Sequence, residues 1–255
     1  MENLFGWSDW RMTTIGEASI TPHDDRLALA VNPTPAGVYS DSQITDYQTR
    51  QDFRWSPPAR LTVTVYTDRP AADIRGTAGF GFWNHPFEPG KRGVHLPQAV
   101  WFFFSSPPSD MRLAVGVPGP GWKAATFDAR RLAFWALLPT APVGVFLMRI
   151  PALYRRLWSV GQRALGVSEG LLDSRLLAEP HTYTLDWLAE RAIFQVDGQV
   201  VYKAPTTPRG PLGFIAWIDN QYAIVTPQGR FGFGLLPLAD SQALILSEVH
   251  IETIR

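Results

Sequence analysis

The chain has 255 residues, of which 45% are apolar, a composition typical of a folded globular protein that argues against disorder. The chain has 23 lysines and arginines and 23 aspartates and glutamates, so its net charge is +0. It therefore lacks the excess of positive charge that is typical of nucleic-acid-binding proteins. There is no cysteine, which excludes disulfides, thiolate metal sites and thiol nucleophiles and agrees with a reducing compartment.

The length is compatible with one domain, because all-β sandwiches and barrels of about 200 to 250 residues commonly form a single unit. We therefore expect residues 1–255 to form a single β-sandwich domain that contains an insertion. The first residues, MENLFGWSDWRMTT, lack the basic segment and apolar run of a secretory signal. This predicts a cytoplasmic protein, with membrane association or prior removal of a signal as alternatives.

Residues 7–113 consist of short apolar runs separated by Pro, Gly, Asp and Asn, which favours a β-sandwich over alternating strands and helices. In the run LTVTVY, apolar residues alternate with threonines. Because successive side chains of a strand point to opposite faces, Leu61, Val63 and Val65 should face the core.

Two further segments, residues 79–82 and 231–234, alternate glycine with phenylalanine. Each should form a strand with one bulky face and one bare face. The bare face allows a crossing loop, a neighbouring strand or a ligand to approach the sheet backbone closely.

A helical insertion is expected between residues 127 and 179, where the β pattern stops. Residues 132–148 carry no charge, but two prolines and a glycine interrupt them, and a membrane span needs about 20 apolar residues. This favours a buried or interfacial helical hairpin. Ser168 is a suitable cap for a further short helix that would end at Leu177.

Positions 152–165 have helical periodicity, with apolar side chains on one arc and arginines on the other. Such a helix closes over the sandwich as a lid, lies on an anionic membrane surface or contacts another protein. The residues expected on this lid or membrane face are Tyr154, Arg155, Arg156, Trp158 and Arg163.

The segment 181–202, HTYTLDWLAERAIFQVDGQVVY, is a predicted strand–turn–strand unit, because glycine readily takes the positive φ of a tight hairpin turn. It resembles the signature hairpin of the laminarinase-like family 16 glycoside hydrolases. In that family an H-x-Y-x-x-x-W strand leads to a strand that ends in V-D-G. The matching positions are His181, Tyr183, Trp187, Val196, Asp197 and Gly198.

The resemblance covers residues 60–105 and 180–254. It implies an all-β fold, a two-sheet antiparallel jelly-roll sandwich of the concanavalin A-like lectin and glucanase superfamily, here with a helical insertion. It also implies a groove for an extended glycan.

The catalytic carboxylates of that family come from one strand, in a Glu-x-Asp-x-Glu pattern, because alternate residues share a face. Residues 78–83, AGFGFW, look similar to the segment that precedes this strand, and residues 98–105, QAVWFFFS, form the next predicted strand. Aromatic and apolar residues stand there, and no Glu-x-Asp pair occurs elsewhere in the chain. The usual two-carboxylate hydrolysis is therefore not expected, and whether the protein is an enzyme stays open.

Aromatic and polar residues near these strands are candidate ligand contacts. For Trp217, a position in the core is equally compatible, because aromatic side chains usually anchor cores. The candidate ligand-binding residues are Trp83, His85, Trp101, Phe103, Trp217, Asp219 and Asn220. Candidate acid–base residues are His85, Glu88 and Asp219, although His85 and Glu88 also suit a surface turn. We predict no metal site and no cofactor, because no zinc, phosphate-loop or dinucleotide motif is present.

Three functions follow as hypotheses. The leading one is a non-hydrolytic carbohydrate-recognition module on a glucanase-like fold. The first alternative is an enzyme or carrier that binds an apolar small molecule in a groove roofed by the insertion, as the aromatic run at residues 101–104 suggests. The second alternative is a peripheral membrane protein that uses the arginines of the 152–165 helix. No nucleic-acid partner is expected.

Overall fold

The computed structural model describes residues 10–85 and 95–254. Two seven-stranded antiparallel sheets pack face to face, which confirms the predicted all-β sandwich. Sheet A contains, in spatial order, β1 (Arg11–Ile15), β4 (Asp41–Thr45), β14 (Gly213–Asp219), β6 (Thr77–Trp83), β7 (Gln98–Ser105), β9 (Gly121–Asp128) and β10 (Ser168–Leu171). Sheet B contains β13 (Gln199–Ala204), β12 (Ala192–Val196), β11 (His181–Trp187), β5 (Ala59–Thr67), β17 (Gln242–Thr253), β3 (Arg26–Val31) and β2 (Ala18–Pro22). A small third sheet contains β16 (Phe231–Leu235), β15 (Gln221–Val225) and β8 (Asp110–Met111).

The core lies between sheets A and B and follows the period of two expected for strands. Leu61, Val63 and Val65 of β5 are buried as predicted, while the intervening threonines are half-buried. From sheet A, Phe80 and Phe102 pack edge-on against Tyr183 of sheet B at ring-centroid distances of 5.2 and 5.0 Å. Such edge-to-face contacts lock the two sheets together.

The β12–β13 hairpin confirms the predicted turn. Asp197 and Gly198 both have positive φ, 49° and 75°, which matches the right-handed twist of the flanking strands. The Asp197 carboxylate accepts the Thr182 backbone N–H at 2.9 Å and lies 2.6 Å from His181 Nδ1. These two motif residues therefore hold the turn against β11.

The helical insertion contains α1 (Leu132–Leu137), α2 (Ala141–Leu147) and α3 (Pro151–Ala164), and one 3-10 turn joins α1 to α2. Within the described residues, none of the helices is long and apolar enough to cross a bilayer. The helix expected from Ser168 to Leu177 is wrong for its first half, because Ser168–Leu171 forms β10. That segment pairs with the free edge of β9, and only Ser174–Leu177 makes a 3-10 turn. Pairing with β9 satisfies the backbone groups on one side of the segment, whereas a side-chain cap satisfies one or two groups only.

Candidate functional site

The outer face of sheet A, which points away from sheet B, carries a row of aromatic side chains. In β7, Phe102 and Phe104 belong to the core, so the alternation of the strand turns Trp101 and Phe103 outward. The neighbouring strands β6 and β14 contribute Trp83 and Trp217 to the same face. We call Trp83, Trp101, Phe103 and Trp217 the aromatic platform.

The rings of the aromatic platform touch one another. Trp101 lies at its centre, with ring-centroid distances of 5.7 Å to Trp83, 5.5 Å to Phe103 and 5.2 Å to Trp217. The first two pairs are stacked, with interplanar angles of 29° and 22°. Trp217 is only 8% exposed, whereas the other three are partly exposed, so Trp83, Trp101 and Phe103 form the accessible surface.

Gly79 explains why Trp217 lies flat on the sheet. A Cβ atom at Gly79 would lie 2.7 Å from Cη2 of Trp217 and 2.5 Å from the Phe102 carbonyl oxygen. The bare face of the 79–82 segment is therefore covered by an indole ring of the protein itself. In the 231–234 segment, Gly234 is covered in the same way by the Tyr222 ring, while Phe231 and Phe233 are exposed.

His85 lies at the edge of the aromatic platform. Its ring centroid is 5.2 Å from that of Trp83, and its Nδ1 lies 3.1 Å from the Tyr47 hydroxyl. The same hydroxyl accepts the Trp83 Nε1–H at 3.1 Å, and Arg50 Nε donates to the His85 carbonyl at 2.8 Å. The partly exposed His85 thus gives this edge a polar side chain, and the buried Tyr47 hydroxyl holds it beside Trp83. Glu88, the other candidate of this loop, lies outside the described residues.

Asp219 lies beneath the platform rather than on its surface. Trp217 Nε1 donates to the Thr77 hydroxyl at 3.0 Å, and that hydroxyl donates to Asp219 at 2.9 Å. Asp219 also accepts the Thr77 backbone N–H and two N–H groups of Gln221. It is 1% exposed, so it orients Trp217 through Thr77 and does not face solvent.

A second buried carboxyl, Asp41, stands directly opposite Asp219 on β4. Burial raises the pKa of Asp219 to about 7, against the effect of its hydrogen-bond donors. Burial and the neighbouring Asp219 raise the pKa of Asp41 well above its usual range. Negative charge on one of two neighbouring carboxyl groups disfavours ionisation of the other, so the two titrations are coupled. Sequence reasoning missed Asp41, because no motif marks a pair formed across two distant strands.

The remaining candidate, Asn220, directly follows β14 and has a structural role. Its side chain is fully buried, accepts the Ser40 backbone N–H at 2.9 Å, and donates to the carbonyls of Val38 and Leu236. These bonds fix the point where β14 leads into the β15–β16 hairpin. Asn220 is therefore not available for a ligand.

A buried ion pair lies on the outer face of sheet A at strands β9 and β10. Lys123 Nζ lies 3.4 Å from Glu169 Oε1, and both side chains are almost fully buried. Burial lowers the pKa of Lys123 and raises that of Glu169. Lys123 also donates to the Met111 carbonyl, and Glu169 accepts the Ala114 backbone N–H. The loop 110–116 thus covers this pair.

Helix α3 packs against the same loop. Trp158 is 9% exposed and donates its Nε1–H to the Leu113 carbonyl at 2.8 Å, while Tyr154 is half-buried. Arg155, Arg156 and Arg163 are exposed. The helix therefore turns its apolar arc towards the domain and its arginines towards solvent.

A cavity of about 680 Å³ opens at one end of the sandwich, where β7 begins and β9 ends. Its lining includes three arginines and two acidic residues, namely Arg130, Arg131, Arg209, Asp128 and Glu190. No residue of the aromatic platform lines it. Over the described ranges, no group of three or more His, Asp or Glu side chains could hold a metal ion.

No protein-family model matches the chain, and no curated protein matches it. Solved structures do match along almost the whole chain. One is an endo-acting O-glycanase from human gut microbiota that initiates mucin breakdown, with a TM-score of 0.54, 10% identity, and coverage of 97% of this chain and 93% of the other. A second is the κ-carrageenase of Pseudoalteromonas carrageenovora in complex with a κ-carrageenan oligosaccharide, with a TM-score of 0.54, 8% identity, and coverage of 98% and 90%. A third is a legume lectin-like domain from Entamoeba histolytica, with a TM-score of 0.51, 9% identity, and coverage of 97% and 91%.

The chain has the concanavalin A-like jelly-roll fold. This confirms the fold that the hairpin resemblance implied. At these identities the likeness extends to the fold alone.

Proposed function

We propose that this protein is a carbohydrate-recognition module that binds a glycan on the aromatic platform. The observation that carries the proposal is the contact between three partly exposed rings, those of Trp83, Trp101 and Phe103, on one open sheet face. A sugar ring offers an apolar C–H face and a polar rim, and binding sites for such molecules combine aromatic surfaces with a few polar groups. His85, which is partly exposed at the platform edge, supplies a polar group of this kind.

The similar solved structures support a carbohydrate as the class of ligand. The O-glycanase acts on mucin, the carrageenase is bound to a carrageenan oligosaccharide, and the third structure is lectin-like. They include both enzymes and a lectin-like domain, so the choice between hydrolysis and binding depends on the residues of this chain.

We infer binding without hydrolysis from the outer face of β7. Its outward positions are Ala99, Trp101, Phe103 and Ser105, none of which can act as a nucleophile carboxylate or a carboxylic acid. A retaining glycosidase needs two carboxyl groups about 5 to 5.5 Å apart across the scissile bond. On the described part of this face the acidic residues Asp41, Asp219 and Glu169 are all buried. They support the sheet instead of contacting a substrate.

In this proposal Trp101 and Phe103 stack on the sugar, Trp83 and His85 form one edge of the site, and Trp217 supports Trp101 from below. Trp217 is therefore a positioning residue.

The test is glycan binding by the wild-type protein and by the Trp101→Ala variant. A panel of mucin O-glycans, κ-carrageenan oligosaccharides and β-glucan oligosaccharides would first identify a ligand, and calorimetry would then measure its affinity. Because central aromatic contacts commonly contribute at least about 2 kcal/mol, we expect Trp101→Ala to weaken binding by roughly 30-fold. Trp135→Ala removes an exposed tryptophan of α1 and should leave the affinity unchanged.

Unchanged affinity of a folded Trp101→Ala variant would refute the platform as the binding site. Shortened oligosaccharides after incubation, detected by mass spectrometry, would contradict binding without hydrolysis. Native mass spectrometry of the purified protein addresses the alternative of an apolar ligand. A bound apolar molecule released on denaturation would favour that alternative.

A further inference from the structure

The exposed apolar side chains of this protein are concentrated on two neighbouring segments. Over the described residues, 13 large apolar side chains are exposed, and 8 of them lie on α1, α2, the turns that follow these helices, and β16. These eight are Leu132, Trp135, Leu138, Val143, Phe146, Ile150, Phe231 and Phe233, and we call them the apolar patch. Leu132, Phe231 and Phe233 are 87%, 76% and 81% exposed.

The two segments that carry the patch are neighbours in the fold. Leu132, Trp135 and Leu138 follow each other at intervals of three and therefore lie on one side of α1, and Val143 and Phe146 have the same spacing on α2. Phe231 and Phe233 share one face of β16, because Gly232 separates them. The turn of the β15–β16 hairpin touches α2, since a Cβ atom at Gly229 would lie 2.6 Å from Cγ1 of Val145.

The segments that carry the patch are rich in arginine. Residues 129–167 contain six arginines and no acidic residue, and residues 221–235 add Arg230, again with no acidic residue. The formal charge of these segments is therefore +7, from six plus one arginines, in a chain whose net charge is +0. Arg149, Arg155, Arg156 and Arg163 are exposed, and Arg230 is exposed beside Asp110 at 3.9 Å.

We propose that the apolar patch docks on the surface of an anionic lipid bilayer. Patches larger than a few hundred Å² are uncommon on monomeric proteins and mark interaction surfaces, and the four aromatic side chains alone supply roughly 500 Å². Short helices that combine Trp, Phe and Leu with arginines insert their apolar side chains at the level of the lipid headgroups, while the arginines attract anionic lipid. The excess of positive charge on these segments favours such a bilayer over a protein partner, whose surface usually mixes both signs.

This proposal moves the membrane contact away from the face expected from the sequence. Tyr154 and Trp158 of α3 turn towards the loop 110–116, so they cannot insert into lipid without leaving the domain. The apolar contacts come instead from α1, α2 and β16. Arg155 and Arg156 keep the expected role as headgroup contacts.

The experiment is flotation of the full chain with vesicles of phosphatidylcholine alone and of phosphatidylcholine mixed with phosphatidylserine. The protein should float with the anionic vesicles, and high salt should reduce this binding. The double variant Phe231→Ser/Phe233→Ser should bind about 100-fold more weakly, because two large apolar side chains no longer enter the interface. The matched control is Val200→Ser, which removes an exposed apolar side chain from sheet B.

The charge contribution is tested separately with Arg155→Gln/Arg156→Gln, and Arg191→Gln in an exposed turn of sheet B is the control. The double arginine variant should lose most of its preference for phosphatidylserine, whereas the control should keep it. Absence of binding to anionic vesicles would overturn the proposal. So would equal binding of wild type and the phenylalanine variant. A concentration-dependent dimer that these phenylalanines maintain, with no vesicle binding, would assign the patch to self-association instead.

Discussion

Raising the pH should destabilise this fold across a defined window, because Asp41 and Asp219 are buried opposite each other. The pKa of Asp219 is about 7 in the folded protein, whereas that of an ordinary aspartate is 3.8. Above the lower value the unfolded chain releases a proton that the folded protein retains. The contribution of Asp219 to the free energy of unfolding is therefore fully present below the pKa of the unfolded chain, and it is lost as the pH rises through the pKa of the folded protein. At 1.36 kcal/mol per pKa unit, the loss from Asp219 is on the order of 4 kcal/mol.

The assay is urea denaturation at a series of pH values, compared between wild type and Asp41→Asn. Within the described residues the Asp41 carboxyl accepts no hydrogen bond, so an amide there loses no partner and removes the like charge beside Asp219. We expect the free energy of unfolding of the variant to fall less between about pH 4 and 7, and to exceed that of wild type above the window. Asp240→Asn at an exposed position should leave the profile unchanged. A wild-type stability that stays flat or rises across this window, or a variant with the wild-type slope, would refute the reasoning.

Other carboxylates act in a different pH range and do not obscure this result. Arg175 lowers the pKa of Asp173 to about 2, and His181 lowers that of Asp197. Their contribution is present above the unfolded pKa and is lost as the pH falls through the folded pKa, below about 4. The buried carboxyls of Asp41 and Asp219 therefore affect stability above about pH 4, and these surface pairs affect it below about pH 4.

Two further predictions concern packing and the buried ion pair. Gly79→Ala should destabilise the fold by about 1 to 3 kcal/mol, because the added methyl group collides with the Trp217 ring and a backbone carbonyl. Gly144→Ala in α2 should instead stabilise the fold by about 0.5 to 1 kcal/mol, because its methyl group meets open space. Urea denaturation measures both, and equal effects of the two changes would contradict the assigned packing. Lys123→Met leaves Glu169 buried without its partner and should cost about 3 to 5 kcal/mol, while Lys123→Met/Glu169→Leu should recover much of that loss. A double variant as unstable as the single one would show that the cost has another origin.

Local patterns were sufficient to predict much of sheet B. The alternation in LTVTVY placed Leu61, Val63 and Val65 in the core, and the dipeptide Asp197–Gly198 specified its turn, because each feature depends on neighbouring residues only. The helix predicted for Ser168–Leu171 was wrong, because the conformation of this segment depends on the free edge of β9, which is distant in the chain.

The candidate site could be predicted only in part. The sequence shows that the strand is rich in aromatic residues, but it does not show which alternate residues face outward. Residues 101–104 are all aromatic, so either alternate pair could have faced outward. The structure turns Phe102 and Phe104 into the core, and a one-residue shift would have exchanged the two pairs. The burial of Trp217 and Asn220 likewise depends on contacts with residues far along the chain, such as Gly79 and Val38.

The residues that carry the resemblance bear on the fold rather than on the activity because of where they lie. His181 and Asp197 fix a turn, and Tyr183 and Trp187 fill the core, all within sheet B or against it. The proposed ligand-binding face belongs to sheet A. There, the outward side chains of β7, such as Trp101 and Phe103, can vary without altering the inward side chains, because successive residues point to opposite faces. The hairpin motif can therefore specify the sandwich without specifying the chemistry of the outer face of sheet A.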